Sequence, residues 1–286
     1  MSIPIVYTDR MIIAVDIGGT KTLVASFDGL TLLKETRFVT NSDTEAFLAD
    51  LLPVLREHTE SQMPAAICLA VPGILNLRSG TVVRCGNLPW ENFGLRSALA
   101  QHFTCPIYLE NDANLAGLSE ARALSPVPRL CLYLTVSTGI GSGIIVKGKI
   151  ISALSGSEAG WMTLRRPDAG SDNGFAAWQS YASGKALHAR TDQLASDITD
   201  QKVWRDIAER VSDGLLALIP ALQPDVIIIG GGVGTHFTEH WRDALTDIMK
   251  ERLPAYIDLP PIEQAQHAEE AVLYGCCYYA EDKLHG

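Results

Sequence analysis

The stretch Asp16-Ile17-Gly18-Gly19-Thr20-Lys21, directly after the apolar run Met11-Ile12-Ile13-Ala14-Val15, decides how the rest of the chain is read. A β-branched apolar run predicts a buried strand. The glycine pair predicts a tight turn whose backbone can approach a ligand closely. Thr20 and Lys21 add a hydroxyl and a cation to a turn rich in free N–H groups, a combination that suits phosphate oxygens. Asp16, at the strand end, is placed to hold a magnesium ion, directly or through water. An ordinary hairpin turn carrying a surface lysine has the same local pattern. The weight of the motif therefore comes from three further segments: Glu110-Asn111-Asp112-Ala113-Asn114, Ser137-Thr138-Gly139-Ile140-Gly141 and Gly230-Gly231-Gly232-Val233-Gly234.

Each of these segments follows an expected strand. Lys21 to Asp28 and Leu32 to Thr40 read as strands, Thr44 to His58 as a helix, and Ala65 to Val71 as a strand closed by Pro72-Gly73. Leu95 to Phe103 reads as a helix, Ile107 to Leu109 as a short strand, and Ala113 to Ala123 as a helix. The pattern then restarts: Leu130 to Val136 is an apolar strand, Ser137 to Gly141 a glycine turn, and Ser142 to Val146 a second strand. The repeated strand–glycine turn–strand unit predicts an internal duplication. Val203 to Leu222 reads as an amphipathic helix broken by Pro220 and Pro224, Val226 to Ile229 as a buried strand, and Thr238 to Arg252 and Glu269 to Lys283 as helices. Strands and helices alternate on both sides of Ser125-Pro126-Val127-Pro128. The expected architecture is two α/β domains with a cleft between them, 1–118 completed by a C-terminal helix at about 267–286, and 119–266. Ligands in such folds gather at the carboxyl ends of strands.

Composition narrows the function classes. The 286 residues are 47% hydrophobic and 20% charged, enough for sizeable cores, and the formal net charge of −10 argues against a nucleic-acid surface. The six cysteines (Cys68, Cys85, Cys105, Cys131, Cys276, Cys277) form no Cys-x-x-Cys pair, so neither a structural zinc nor a disulfide framework is expected. No window is long and apolar enough to span a bilayer. A cytoplasmic protein is expected, with Met1 to Arg10 as a short leader.

Transfer of a phosphoryl group to an alcohol needs cradled phosphates, an offset for developing charge and a base for the acceptor hydroxyl. Backbone amides of the first and third loops suit the cradle, and magnesium near Asp16 suits the offset. Asp112 is the candidate base, beside Asn111, whose amide can bind a neighbouring hydroxyl; taken alone, Asp112 reads better as the N-cap of the following helix, and the two phosphate-type loops turn the reading to catalysis. Three consecutive glycines after Ile227-Ile228-Ile229 point to a flat group, such as adenosine, packed on bare backbone.

The set Asp16 to Lys21, Pro72-Gly73, Asn111-Asp112, Ser137 to Gly141 and Gly230-Gly231-Gly232 resembles the ROK family of bacterial sugar kinases and sugar-responsive repressors, from about Ile12 to the C-terminus. The resemblance implies the actin-like ATPase fold of two ribonuclease-H-like domains, with ATP and sugar in the cleft. It implies phosphate or nucleotide contact at Asp16, Gly18, Gly19, Thr20, Lys21, Thr138, Gly139, Gly231 and Gly232. It implies Asp112 as the base for a sugar hydroxyl, typically the 6-OH of a hexose, and sugar contacts from Asn111, Asn87 and the backbone of Gly73. It also implies a homodimer.

The departures are as informative. Family kinases usually carry Gly-Glu-x-Gly-His, a cysteine-rich zinc loop, and then a glutamate shortly before Ser-Gly. Here the segment is Ser157-Glu158-Ala159-Gly160-Trp161, the loop is Arg165 to Phe175 without cysteine, and Gln179 stands four residues before Ser183-Gly184. Glu158 is kept, Trp161 replaces the histidine, and Gln179 replaces the second glutamate, so no zinc is expected. Trp161 either stacks on a sugar face or fills space left by the zinc loop. The leading expectation is an ATP- and magnesium-dependent hexose kinase, with glucose favoured over N-acetylated sugars. Polyphosphate as donor, a sugar sensor or a non-catalytic sugar binder are the alternatives. A DNA-binding repressor is disfavoured, because fifteen residues before Asp16 are too few for a helix-turn-helix domain.

Overall fold

The computed structural model describes residues 11–59, 63–170, 173–267 and 270–286. The expected leader Met1 to Arg10, and Glu269 at the expected start of the last helix, lie outside the described residues. The chain divides into two compact units, Met1–Ser119 with Glu270–Gly286, and Glu120–Glu269.

In chain order the first unit contains β1 (Met11–Ile17), β2 (Lys21–Asp28), β3 (Thr31–Val39), α1 (Thr44–Thr59), β4 (Ala66–Val71), β5 (Gly73–Asn76), β6 (Thr81–Cys85), β7 (Glu91–Phe93), α2 (Leu95–Leu99), β8 (Ile107–Asn111) and the start of α3 (Asp112–Ala123). The second contains β9 (Leu130–Val136), β10 (Ile140–Val146), β11 (Lys149–Ile150), β12 (Thr163–Arg165), β13 (Phe175–Ala177), α4 (Trp178–Ala182), α5 (Gly184–Thr191), α6 (Gln201–Leu222), β14 (Val226–Gly230), α7 (Gly231–Gly234), α8 (Arg242–Arg252) and β15 (Ile262–Gln264). The last helix, α9 (Ala271–His285), returns to the first unit.

Each unit is built on a five-stranded sheet of the same plan. The orders are β3-β2-β1-β4-β8 and β11-β10-β9-β14-β15. In both, the first three strands are antiparallel and the last two join in parallel. The duplication read from the two strand–glycine turn–strand units is thus present in the topology. Central strands β1, β4 and β14 are buried on both faces, which is why their sequences are continuous apolar runs instead of alternating ones. The first core gathers Ile13, Val15, Phe47, Leu51 and Trp90, and α9 packs on β1 and β4. The second gathers Trp178, Trp204, Phe237 and Trp241 with β9 and β14.

Several elements differ from the sequence reading. Pro220 does not break α6, which runs on to Leu222. A proline so near the end removes one ladder bond while the buried face of the helix keeps it in place; the helix stops at Gln223, in the left-handed conformation at φ 48°, just before Pro224. The expected helix Leu95 to Phe103 is shorter, ending at Leu99, with the following turn tied by the Phe103 N–H to the Leu99 carbonyl at 3.1 Å. The expected helix Thr238 to Arg252 begins as a wide π-type turn at Phe237–Trp241, because both aromatic rings are drawn into the core. Beyond the sequence reading lie the small sheet β5-β6-β7 and the hairpin β12–β13, strands too short for periodicity to register.

Candidate functional site

In the first unit, the Asp16–Lys21 stretch is the β1–β2 hairpin, closed by the Gly18 N–H on the Lys21 carbonyl at 3.0 Å. Its far side is pinned to the end of β3: Thr40 N–H bonds the Thr20 carbonyl at 3.0 Å, and the Thr22 and Thr40 hydroxyls meet at 2.8 Å in a buried position. Asp16 stands partly exposed at the end of β1 and Thr20 at the exposed tip.

The small sheet positions two sugar-contact candidates, one of them against this hairpin. Gly73 opens β5 at φ +113°, a conformation that favours glycine, and a Cβ there would run into the Arg84 carbonyl of β6. Asn87 lies beyond β6, directly against Gly19: a Cβ on Gly19 would stand 2.7 Å from the Asn87 Cβ. The segment is anchored by Trp90, which is fully buried, packs on Phe47 with ring centroids 4.6 Å apart, and donates its indole N–H to the Ser42 carbonyl at 2.9 Å.

The end of β8 and the first turn of α3 position the candidate base. Asn111 Oδ1 accepts from the N–H groups of Ala113 (2.9 Å) and Asn114 (3.4 Å), which makes Asn111, and not Asp112, the capping residue of α3. Its amide nitrogen donates to the Gly73 carbonyl at 3.4 Å, so β8 and β5 are joined at two candidate sugar contacts. Relieved of the capping role, Asp112 sits in the first turn with Oδ1 taking the Ala113 N–H at 2.9 Å. Burial pushes its carboxyl above the ordinary aspartate range, and the Ala113 N–H pulls back in part.

Beneath this turn is a residue the sequence reading gave no role. Glu110 is buried; its Oε1 accepts from the Asn111 N–H at 2.8 Å and from the Asn114 side chain at 2.9 Å. Burial raises its pKa, with the Tyr279 hydroxyl and Lys283 acting the other way. Its place directly before Asn111-Asp112 was the available signal.

In the second unit, Ser137–Gly141 lies at the corresponding β9–β10 hairpin, closed by the Ser137 N–H on the Gly139 carbonyl at 2.9 Å. Two helices touch it. Gly184 N–H, at the start of α5, bonds the Ser137 carbonyl at 2.6 Å. Gln179, on α4, brings Oε1 to the Ile140 N–H at 3.5 Å, and a Cβ on Gly139 would stand 2.8 Å from that same oxygen. The side chain the resemblance placed beside the sugar is therefore also seated on the glycine hairpin. Gly231, at φ +84°, opens α7 against the Thr135 hydroxyl and the Val136 carbonyl at the end of β9. Thr138, Gly139, Gly231 and Gly232 thus cluster at the carboxyl ends of β9 and β14, where ligands of open α/β sheets bind.

Glu158 and Trp161 sit on one short 3₁₀ turn, with the Trp161 N–H on the Glu158 carbonyl at 3.0 Å. The Trp161 side chain is 65% exposed. It is therefore not packed into a core. After Arg165 the chain makes a 3₁₀ turn at Pro167–Ala169 and returns as β13. A further cluster the sequence did not signal follows α7: His240 stacks on buried Trp204 at 4.9 Å with rings 8° apart, and His236 lies 5.5 Å from the same indole.

The residue expected to hold magnesium is Asp16. Its single carboxylate, partly exposed at the end of β1, suits an ion whose other ligands would be substrate phosphates and water, the neighbouring N–H groups serving the phosphates and not the ion. Among the described residues no group of three His, Cys, Asp or Glu side chains is arranged to hold a metal ion.

Two sheets of one plan, each ending in a glycine hairpin, define the actin-like ATPase fold. The chain belongs to the ROK family, whose profile matches residues 12–283. It is 27% identical to a β-glucoside kinase of Listeria monocytogenes over 94% of this chain and 96% of the relative. It is 26% identical to a xylose repressor of Caldicellulosiruptor bescii over 93% of this chain and 76% of the repressor. Among solved structures, a ROK family glucokinase from Streptomyces griseus in complex with glucose and AMPPNP superimposes with a TM-score of 0.78, at 23% identity, over 95% of this chain and 99% of that one. The family therefore includes both kinases and repressors among this chain's relatives. No helix among the described residues is long and apolar enough to cross a membrane.

Proposed function

We propose that the protein is an ATP-dependent sugar kinase that phosphorylates a hexose hydroxyl, with Asp112 as general base and glucose or a related sugar as acceptor. The observation that carries this reading is the state of Asp112: a carboxylate raised by burial, freed from helix capping by Asn111, and set beside the Asn111–Gly73 contact. A raised pKa makes a better proton acceptor once the group is ionised. Asp112 takes the proton of the sugar hydroxyl, the resulting oxygen attacks the γ-phosphorus, and the bond from that phosphorus to the β–γ bridging oxygen breaks with its electron pair leaving on ADP. In this reading Asn87, Asn111, the Gly73 backbone, Glu158, Trp161 and Gln179 hold the sugar. Amides of the two glycine hairpins receive the phosphates, and Gly231-Gly232 receive the adenosine. Magnesium held at Asp16 would offset phosphate charge.

The glucose and AMPPNP named for the Streptomyces structure and the activity named for the Listeria relative support the choice of ligands. The similarity to a xylose repressor and the exposed Trp161 in place of the family histidine support a second reading, a sugar-responsive sensor. The resemblance also implies a homodimer, which sedimentation velocity checks.

The deciding experiment is magnesium-dependent ADP release on glucose, mannose, fructose, N-acetylglucosamine and N-acetylmannosamine, with Asp112→Asn alongside. Turnover that collapses in the variant is the expected result. Sugar binding without turnover in the parent protein would move the reading to the sensor. A parallel assay with polyphosphate in place of ATP tests the donor.

A further inference from the structure

Six charged side chains of the second unit form one alternating chain. Asp213 Oδ2 meets Arg166 Nη1 at 3.2 Å. Arg166 grips Asp168 with two nitrogens, at 2.6 and 3.3 Å. Asp168 Oδ2 also receives Arg210 Nη2 at 3.0 Å. Arg210 Nε lies on both oxygens of Asp206, at 2.8 and 2.9 Å, and Asp206 receives Arg190 at 3.2 Å. Three arginines and three aspartates therefore balance one another across the 166–168 turn, α5 and α6. The guanidinium groups of Arg166 and Arg210 are largely enclosed, at 14% and 10% side-chain exposure, so salt screens these pairs less than ordinary surface pairs. Arg166 holds the Asp168 carboxyl below its ordinary range.

The same groups grip the two helices that touch the Ser137–Gly141 hairpin. Arg190 Nη1 donates to the Tyr181 carbonyl at the end of α4, at 2.7 Å, and to the Ala186 carbonyl of α5 at 3.1 Å. The Arg166 guanidinium stands 5.9 Å from the Tyr181 ring centroid. At the other end of α4, Trp178 donates its indole N–H to the Arg210 carbonyl at 3.0 Å and its backbone N–H to the Met162 carbonyl at 2.9 Å. Between these two anchors sits Gln179, seated on Gly139 and Ile140, and α5 begins with the Gly184 bond to Ser137.

We propose that the Asp213–Arg166–Asp168–Arg210–Asp206–Arg190 chain is a positioning device for the glycine hairpin, acting through α4 and α5. Asp168 is its central link, because among the described residues it is the one that joins Arg166 to Arg210. Removing that link leaves both arginines partly unpaired, frees the 166–168 turn from α6, and lets α4 carry Gln179 off the hairpin. The consequence for the site rests on reading Ser137–Gly141 as a phosphate-contacting loop; the coupling within the unit does not.

The test compares Asp168→Asn, Gln179→Ala and the double variant by hydrogen exchange and by calorimetric titration with AMPPNP. Asp168→Asn should speed exchange in 137–141 while leaving the β14 amides unchanged, and should weaken AMPPNP by about three- to tenfold, in the lower part of the range of coupling between neighbouring residues. The double variant should exchange no faster at 137–141 than Gln179→Ala alone, since both act on one contact. Arg166→Lys keeps the charge but loses the two-pronged grip, and should give the same local change more weakly. Unaltered exchange at 137–141 in Asp168→Asn, or effects that simply add in the double variant, would overturn the proposal. A parent protein that does not bind AMPPNP would sink the kinase reading and leave the exchange result to decide the coupling.

Discussion

The two glycine hairpins occupy the same place in sheets of the same strand order, yet they are held in different ways. The Asp16–Lys21 hairpin is secured from within its own sheet, by the Thr20–Thr40 backbone bond and the buried Thr22–Thr40 hydroxyl pair, with Asn87, from the loop after β6, laid against Gly19. The Ser137–Gly141 hairpin is secured from outside its sheet, by α4 and α5, and those helices depend in turn on long-range ion pairs. Chemistry is divided in the same way. The first unit carries the raised carboxylates Asp112 and Glu110, while the second carries a balanced arginine–aspartate chain and an exposed tryptophan. A duplicated scaffold thus fixes where a loop stands, and the segments added to each copy fix what the loop rests on.

The largest effect should come from the first unit's chemistry. Asp112→Asn should lower kcat by about 10²–10⁴-fold, the usual worth of a positioned base. Because Asn can still accept the Ala113 N–H and carries no buried charge, Tm should be unchanged or higher, so differential scanning calorimetry beside the kinetics separates the base from a structural residue. Next is the anchor of the small sheet: Trp90→Ala should cost about 3–5 kcal/mol in denaturant unfolding, as for other fully buried tryptophans. A loss that small surface residues would give would show that Asn87 and Gly73 are not held by that ring. In the second unit, Gly214→Ala should cost about 1–3 kcal/mol by overpacking, since a Cβ there collides with the Trp178 ring that anchors α4. If α4 carries Gln179 as described, the same variant should also speed exchange at 137–141, which Trp90→Ala should not do. The smallest effect is that of Trp161→Ala. A side chain this exposed adds little to the fold, so Tm should hold, while KM for the sugar should rise a few-fold if the indole stacks on it, in line with aromatic contacts of roughly 0.5–1.5 kcal/mol. An unchanged KM would remove Trp161 from the sugar contacts.

The pH profile sharpens the contrast further. The base must be ionised to act, and the folded protein holds its proton more tightly than an ordinary aspartate does. Activity should therefore rise with pH along an acid limb lying above the ordinary aspartate range, and kcat/KM against pH measures it. Stability runs the opposite way. Between the unfolded and the raised folded pKa the native state binds more protons at Asp112 and Glu110, so their contribution falls as pH rises through that interval.

Much of this was legible in the amino-acid order. Continuous apolar runs marked β1, β4, β9 and β14, because strands covered on both faces need apolar residues at every position. Glycine pairs after them marked both hairpins, because close turns need backbone without a Cβ. The motifs Asp16–Lys21, Asn111-Asp112, Ser137–Gly141 and Gly230–Gly232, taken together, pointed to the family. The sequence left Asp112 readable as base or as helix cap; only the folded turn gave the cap to Asn111, since capping depends on which side-chain oxygen reaches the second and third N–H groups. It placed Gln179 beside the sugar, and the fold seated it on Gly139 as well. It showed no cysteines between Arg165 and Phe175, and the fold showed an ion-pair chain fastening that segment to α6, built from residues up to 47 positions apart. Local order determined strands, turns and chemical types, because those follow from neighbours along the chain. Tertiary structure decided partners, burial and pKa, because these depend on which distant groups share a low-dielectric space.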